Sequence, residues 1–541
     1  MFDKAPYAGR WVALIGEQVA GVGYTAEEAY QSAQHHRPKE RVTLQYVEVE
    51  GGDPLPFSPL LTQIRPLLAQ ESWPVYLVGG AVRDALLGRV SHDLDFVVPR
   101  KAVRLTFRVA DAIKAPAYVL DEERDTGRVV LAGQETMLDF TCFRGPDLEA
   151  DLRARDFTIN ALAIPATAQT RAAIIDPTGG LQDLEERQIH LTHQGALVDD
   201  PLRGLRAVRL AAALGFRVTD ETKSAVLAAV PALVGVSAER VREELLKIML
   251  TSRPGDALQQ MDDLDLLRAT LPEVADLAGV AQSPPHHEDV LAHTRRVLDY
   301  LVRLEEVFFT GDKTQESALT YAYSQLLDYL PLLGEHLERQ VDGGVNGHLI
   351  LRLGALFHDV GKKETQTIEE DGRIRFFGHD AAGAELTAKR LRQLCLSKQA
   401  ISQVKRIVAG HMRPLFLAQA QGSSPSRRAV YRYFQTTREN GLDIGLLALV
   451  DHLATYDGPG TGQAWPTLVG LVERLYQQYF EKHEEAIKPL PLLNGRDLIT
   501  LLGMEPGPEI GRILRLVEEN QAAGEISSQE EALQFAQEQA L

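Results

Sequence analysis

The sequence predicts an α+β protein, in which a mixed strand-and-helix head precedes a longer all-helical remainder. From residue 74 to about 191, short strand-like runs such as 75–78 alternate with helix-like stretches. After residue 201 the apolar residues recur at helical spacing almost without a break. Length is the third observation: 541 residues, 45% hydrophobic and 24% charged, are too many for one core, so three or four domains are expected.

In chain order, residues 8–50 read as a small ββαβ unit, with strands over 11–15, 19–24 and 42–49. Thr25 followed by Glu28 is a capping box that starts its helix. Gly51, Gly52, Asp53 and Pro54 make a linker. The expected division is 1–52 for this module, whose role the sequence does not assign, 60–195 for the head and 196–280 for a helical neck. A second helical domain, 281–485, begins at Pro284-Pro285, and a helical tail, 486–541, follows the Lys488 to Pro491 break.

The formal charge of −18 argues against a protein that coats nucleic acid non-specifically, so any RNA site has to be local. Residues 201–253 hold nine Lys or Arg against five Asp or Glu, which makes them the first candidate for an RNA track. Cys142 and Cys395 are the only cysteines and form no CxxC, which excludes a disulfide framework and a cysteine zinc site. Residues 1–10 lack an apolar signal core and no run of about 18 apolar residues occurs, so a cytoplasmic protein without a membrane span is expected.

Two constellations carry chemistry. In the first, a buried strand runs into Gly79-Gly80 and then a helix, where glycines let a backbone approach a phosphate and the helix start offers N–H groups. Thirteen residues past Gly80 stand Asp93 and Asp95, which a strand projects to one face. Paired carboxylates repel and are held best by a divalent cation, and oxygen ligands suit Mg²⁺. Asp139, in a later strand, is either a third carboxylate or a solvated strand acid. Asp200 and Arg203 share a face at a helix start, and Arg206 and Arg209 continue the row. A carboxylate beside a guanidinium matches the donor-then-acceptor edge shared by cytosine and adenine, and mispairs uracil and guanine.

Gly79-Gly80-Ala81-Val82-Arg83-Asp84 with Asp93-x-Asp95 resembles motif A of class II tRNA nucleotidyltransferases and bacterial poly(A) polymerases, of the polymerase-β-like superfamily. Residues 151–161, 176–184, 199–207 and 239–247 resemble motifs B to E in family order, so the match covers about 73–251. The sequence departs from the pattern at Ala154, where an Arg is usual, and at Asp199-Asp200, where Glu-Asp is usual. The resemblance implies a polymerase-β-like head that adds C and A to tRNA 3′ ends from CTP and ATP without a template. It places Mg²⁺ on Asp93 and Asp95, the triphosphate on Arg83 and the Gly79-Gly80 amides, the sugar on Asp156 and Asn160, and a phosphate on Arg155, with Asp84 among the nucleotide-binding residues.

The second constellation is His293, His358-Asp359, His379, His411 and Asp451 within helical sequence. Imidazoles with carboxylates suit Mn²⁺, Fe²⁺, Ni²⁺ or Mg²⁺, and helices can aim them into one bundle core. His358-Asp359-Val360-Gly361-Lys362, with Asp451 after an apolar run, resembles the HD phosphohydrolase superfamily. The whole chain thus is similar to the HD-containing subset of CCA-adding enzymes, which implies a phosphodiesterase or phosphatase acting on ends such as 2′,3′-cyclic phosphates. Three alternatives stay open: a poly(A) polymerase, a partial enzyme adding CC or A alone, and a phosphohydrolase whose inactive head only binds RNA. Oligomeric state is not legible.

Overall fold

The computed structural model describes residues 7, 10–16, 18–23, 26–37, 40, 42–47, 54–131, 136–310 and 317–540. The chain divides into two compact units, Met1–Arg203 with Gly215–Ala229, and Gly204–Leu214 with Val230–Leu541.

The first unit opens with β1 (Arg10–Ile15), β2 (Gln18–Gly23), a helix Ala26–His36 and β3 (Thr43–Val47), in an antiparallel sheet of order β2-β1-β3. Strand bounds agree with the sequence reading to within two residues; Thr25 of the expected capping pair lies outside the described residues. Helix and sheet meet through Ala13, Ala29 and Ala33. They lie so close that a Cβ on Gly21 would stand 2.3 Å from the Ala29 carbonyl.

The head is a six-stranded mixed sheet of β4 (Tyr76–Val78), β5 (Leu94–Val98), β6 (Ala117–Asp121), β7 (Thr126–Val130), β8 (Met137–Cys142) and β9 (Ala163–Pro165). Its order is β6-β7-β8-β5-β4-β9; β5 and β8 are parallel and the other pairs antiparallel. Helix Ala102–Ile113 buries Ala102, Leu105, Thr106, Val109 and Ala110, the i, i+3, i+4, i+7, i+8 stripe of an amphipathic helix. It crosses β7 where a Cβ on Gly127 would meet Thr106 Oγ1 at 2.5 Å. In β5, Leu94 and Phe96 face one layer, Phe96 stacking on Phe140 at 4.7 Å. Val97 packs on Leu152 and Ala163 on the other face, while Asp95 stays open to solvent.

The second unit is helical, with short two-stranded hairpins at Gln340–Asn346 and Thr367–Arg375. Helix Gly441–Tyr456 is buried throughout residues 441–454, as its nearly unbroken apolar sequence requires of a central helix. Around it pack Val290–Glu305, Gly347–Phe357, Lys398–Gly410 and Ala464–Glu481. Glycines set the closeness: a Cβ on Gly354 would reach Ile407 at 2.6 Å, and one on Gly410 would reach Ile444 at 2.7 Å. The last three helices, Gly495–Leu502, Pro508–Ala523 and Gln529–Ala540, share a small core of Leu498, Ile513, Val517, Ala532 and Ala536. Among the described residues, no helix is long and apolar enough to cross a membrane.

Candidate functional site

In the head, β4 runs into Gly79 and helix Gly80–Leu86. Gly79 has φ +74°, in the left-handed region, and a Cβ there would lie 3.2 Å from Arg155 Nη1 and 3.6 Å from Asp95 Oδ2. The turn therefore brings bare backbone against one cation and one carboxylate. Asp93 immediately precedes β5 and Asp95 is its second residue, and the register sets Asp95 beside Asp139 on β8. The Asp93 and Asp95 carboxyls both rise above the ordinary carboxylate value. Burial is the first cause for each; Asp139 adds repulsion, outweighed at Asp95 by the attraction of Arg155. Carboxylates made uncomfortable in this way fit a hard divalent cation, which removes both penalties.

Asp139 is held in an ion pair. Arg128 on β7 donates from Nε to Oδ1 and from Nη2 to Oδ2, both at 2.7 Å, so the fork occupies both oxygens. Sequence reading missed Arg128, because only the β7–β8 register aligns it with Asp139.

The remaining head residues form one network. Arg83 donates from Nη1 to Asn160 Oδ1 at 2.7 Å and from Nε to Asp84 Oδ1 at 2.8 Å. Asn160 donates to Asp156 Oδ1 at 3.1 Å. Arg155 is pinned by the buried Asp151 at 3.0 Å. Arg144, which the sequence did not single out, has its pKa lowered by burial and then by the positive charge of Arg155, with Arg203 contributing. Arg83 and Arg155 thus lie beside the glycine turn, with Arg144 close enough to Arg155 to feel its charge, a setting for a polyanion.

Motif C proves to be a buttress. Asp176 accepts four backbone N–H bonds, from Thr178, Gly179, Gly180 and Leu181, at 2.9–3.2 Å. Gly180 lies against motif B so closely that a Cβ would be 2.2 Å from the Thr158 carbonyl oxygen. Thr158 in turn donates to Asp183 at 2.6 Å.

Asp200 precedes helix Arg203–Leu214 and accepts from Leu202 N at 3.2 Å. Arg203 turns to the backbone of motif B, donating to the Arg155 and Ala154 carbonyls at 3.2 and 3.1 Å. Ala154, where the family pattern has Arg, is thereby tied to the residue expected to read the base. In the second unit Arg209 pairs with the buried Glu244 at 2.7 Å, and Arg206 lies 3.8 Å from the same carboxylate. The expected arginine row is thus partly an ion-paired helix face.

The second unit brings together all six residues of the histidine–aspartate constellation. His293 Nε2 lies 3.0 Å from Asp451 Oδ1, His358 Nε2 3.2 Å from Asp359 Oδ2, and His379 Nε2 3.2 Å from His411 Nε2. Burial alone would raise the Asp359 carboxyl, but His358 and Lys362 hold it well below the usual range. Burial pushes His411 down to about 4, as it does His286, whose ring edge meets His293. A cavity of about 680 Å³ opens off the cluster, with Lys362, Arg375, Phe377, Phe416 and Tyr456 in its lining. His286 carried no signal beyond its place after Pro284-Pro285, and Lys362 stood within the quoted motif.

Residues 75–190 match the poly(A) polymerase head domain, 215–277 a probable RNA and SrmB-binding site of polymerase A, and 381–536 a putative tRNA nucleotidyltransferase domain 2. The chain is 34% identical to the A-adding tRNA nucleotidyltransferase of Deinococcus radiodurans, over 85% of this chain and 94% of that protein. It is also 34% identical to the CC-adding tRNA nucleotidyltransferase of Thermus thermophilus, over 86% of this chain and 95% of that protein. A solved CCA-adding enzyme in its apo form superposes with a TM-score of 0.54 at 21% identity, covering 88% of this chain and 92% of that one, a likeness of fold. Near-complete relatedness and a mixed-sheet head with its motifs in order lead to one conclusion: this chain belongs to the tRNA nucleotidyltransferase family.

Proposed function

We propose that this chain is a cytoplasmic enzyme that adds C and A to the 3′ end of tRNA from CTP and ATP without a nucleic-acid template. The observation that carries it is the placement of Asp95 against the Gly79 turn and Arg155, with Asp93 two residues before it at the start of β5. In this reading 60–195 is the catalytic head and 196–280 the neck that selects the nucleotide and meets RNA. Residues 281–485 are an HD domain and 486–541 a tail in the same reading.

The RNA 3′-hydroxyl attacks the α-phosphate and pyrophosphate leaves. Mg²⁺ on Asp93 and Asp95, when bound, supplies activation of the hydroxyl and neutralises charge developing at the phosphate. The chain's own groups do the rest. The Gly79-Gly80 backbone and Arg83 hold the triphosphate, Arg155 and Arg144 balance its charge, and Asp156 with Asn160 orients the sugar. Asp200 accepts from the exocyclic amine of C or A, and Arg203 donates to the neighbouring ring acceptor through N–H groups its two carbonyl bonds leave over.

A partial specificity is the second reading, favoured by the two 34%-identical relatives, one named A-adding and the other CC-adding. Transcripts ending before CCA and after CC, each given CTP, ATP or both and then sequenced, separate the readings. CCA products support the full enzyme; CC alone, or A only on the CC end, shows a partial one; unbounded A tails show a poly(A) polymerase. No incorporation on any transcript overturns the assignment.

The second unit, in the same proposal, is a metal-dependent phosphohydrolase, with Mn²⁺, Fe²⁺, Ni²⁺ or Mg²⁺ held by His293, His358, Asp359, His379, His411 and Asp451. The imidazole–carboxylate donor set and the buried, unpartnered His358 Nε2 fit such an ion. Lys362 and Arg375 in the adjoining cavity suit a phosphoester, including a 2′,3′-cyclic phosphate end.

A further inference from the structure

We propose that Tyr118 and Arg128, on the face of the head sheet beyond Asp95, seat the 3′-terminal nucleotide of the RNA acceptor, Tyr118 under the base and Arg128 on the phosphate. This rests on the nucleotide-addition reading above and deepens it by giving the RNA end a site.

Strand register places four side chains in one row. Asp95 on β5 stands beside Asp139 on β8, Asp139 beside Arg128 on β7, and Arg128 beside Tyr118 on β6. Residues directly opposite across a ladder project to the same face, so the row runs unbroken from the carboxylate to the sheet edge. With strands about 4.8 Å apart it spans roughly 14 Å. The other face of these strands is closed, since Val129, Leu138 and Phe140 are buried there and helix Ala102–Ile113 presses Thr106 against Gly127.

The composition of the row suits a nucleotide. β6 is an edge strand, where charged side chains usually discourage unwanted pairing, yet it presents Tyr118 with 47% of its surface exposed. A bared aromatic ring beside a guanidinium is the combination on which single-stranded bases stack while their backbone is neutralised. Arg128 is fixed for this work. Nε and Nη2 donate to Asp139, the Tyr118 phenol oxygen accepts a further bond, and the guanidinium still has N–H groups to offer a phosphate.

The direction of the reaction selects the RNA end as the occupant. Val78 pairs with Asp95, so the Gly79 turn and the triphosphate groups that follow it lie on the β4 side of that carboxylate. Arg128 and Tyr118 lie on the β8 side. In phosphoryl transfer the attacking and leaving oxygens are roughly in line. A hydroxyl that displaces pyrophosphate held on the β4 side therefore approaches the α-phosphate from the side of Arg128 and Tyr118.

The test compares the full-length chain with Tyr118→Ala, Tyr118→Phe and Arg128→Gln on tRNA transcripts ending before CCA. Tyr118→Ala should raise KM for RNA about tenfold, the loss of one stacked base, and leave KM for CTP and ATP unchanged. Tyr118→Phe keeps the ring and should match the parent. A transcript with 2-aminopurine as its last base should be quenched by the parent and by Tyr118→Phe, but not by Tyr118→Ala. Arg128→Gln should flatten the slope of log Kd for RNA against log salt by about 0.7, the loss of one phosphate contact to a single strand. A thermal melt checks folding, which truncation of a half-exposed side chain leaves intact. Parent-like RNA binding and extension by Tyr118→Ala, or a KM raised only for the triphosphates, overturns the site and leaves nucleotide addition standing. Tyr118→Phe as impaired as Tyr118→Ala makes Tyr118 a strut for Arg128 and overturns stacking, and an unchanged salt slope removes Arg128 from the site. A parent chain that extends no transcript overturns both readings.

Discussion

At the scale of single residues, the head separates groups that react from groups that hold them. Asp95→Asn keeps the size and the strand but removes a charge no neighbour can replace, so nucleotide addition should fall by at least about 10³-fold. The melting temperature should stay level or rise, because the substitution relieves a carboxylate that is crowded by the protein around it and repelled by Asp139 and Asp93. Primer extension beside a thermal melt checks both, and near wild-type extension would refute the metal role. Arg203 has two duties, since its fork also ties the Ala154 and Arg155 carbonyls. Arg203→Ala should cost about 1–2 kcal/mol of stability and weaken discrimination of CTP and ATP against UTP and GTP. If selection among the four triphosphates is unchanged while the melt drops, Arg203 is only a strut.

Among elements, the glycines record where chain segments cross. Gly180→Ala would drive a methyl group to 2.2 Å from the Thr158 carbonyl oxygen, backbone that cannot swing aside. Overpacking of this kind costs about 1–3 kcal/mol, and since motif B hangs on this contact, KM for nucleotide should rise with the loss of stability. The buried pair Glu305–Arg352 works similarly in the second unit, where Arg352 also donates to the Met249 and Thr251 carbonyls at 2.6 and 3.0 Å. Burial would raise the Glu305 carboxyl, but His348 and Arg352 bring it below its ordinary value. A depressed carboxyl contributes stability above its unfolded pKa of about 4.3 and loses it as the pH falls through the folded value. Arg352→Met strands that charge and should cost about 3–5 kcal/mol at neutral pH. The deficit should shrink toward pH 4 as Glu305 takes up a proton. Urea unfolding at pH 7 and pH 4.5 measures it; a pH-independent deficit would mean that Arg352 acts through its carbonyl bonds alone.

For the whole molecule, the division into two units puts the head carboxylates and the histidine cluster in different bodies. His358→Ala with Asp359→Ala should therefore abolish hydrolysis of 2′,3′-cyclic AMP supplied with Mn²⁺, Ni²⁺ or Mg²⁺ and leave nucleotide addition intact. Loss of addition in a folded double variant would show that the two activities depend on one surface.

Motif order, strand parity and helical periodicity are local properties, so the sequence alone determined the α+β head, the helical remainder, Asp93 and Asp95 as the acid pair, and all six cluster residues. The head features are each written within a few residues, as a turn of glycines or an alternation, whereas the cluster, spread over residues 293–451, was legible through its resemblance to the HD phosphohydrolase superfamily. What tertiary structure decided is which charges meet. Arg128 claims Asp139 because antiparallel register sets β7 against β8, and Glu244 claims Arg209 from 35 positions away. The meeting of the six cluster residues also arises from segments distant in sequence. Pairing of charged groups depends on distances of a few ångströms between separate elements, and no spacing along the chain encodes them.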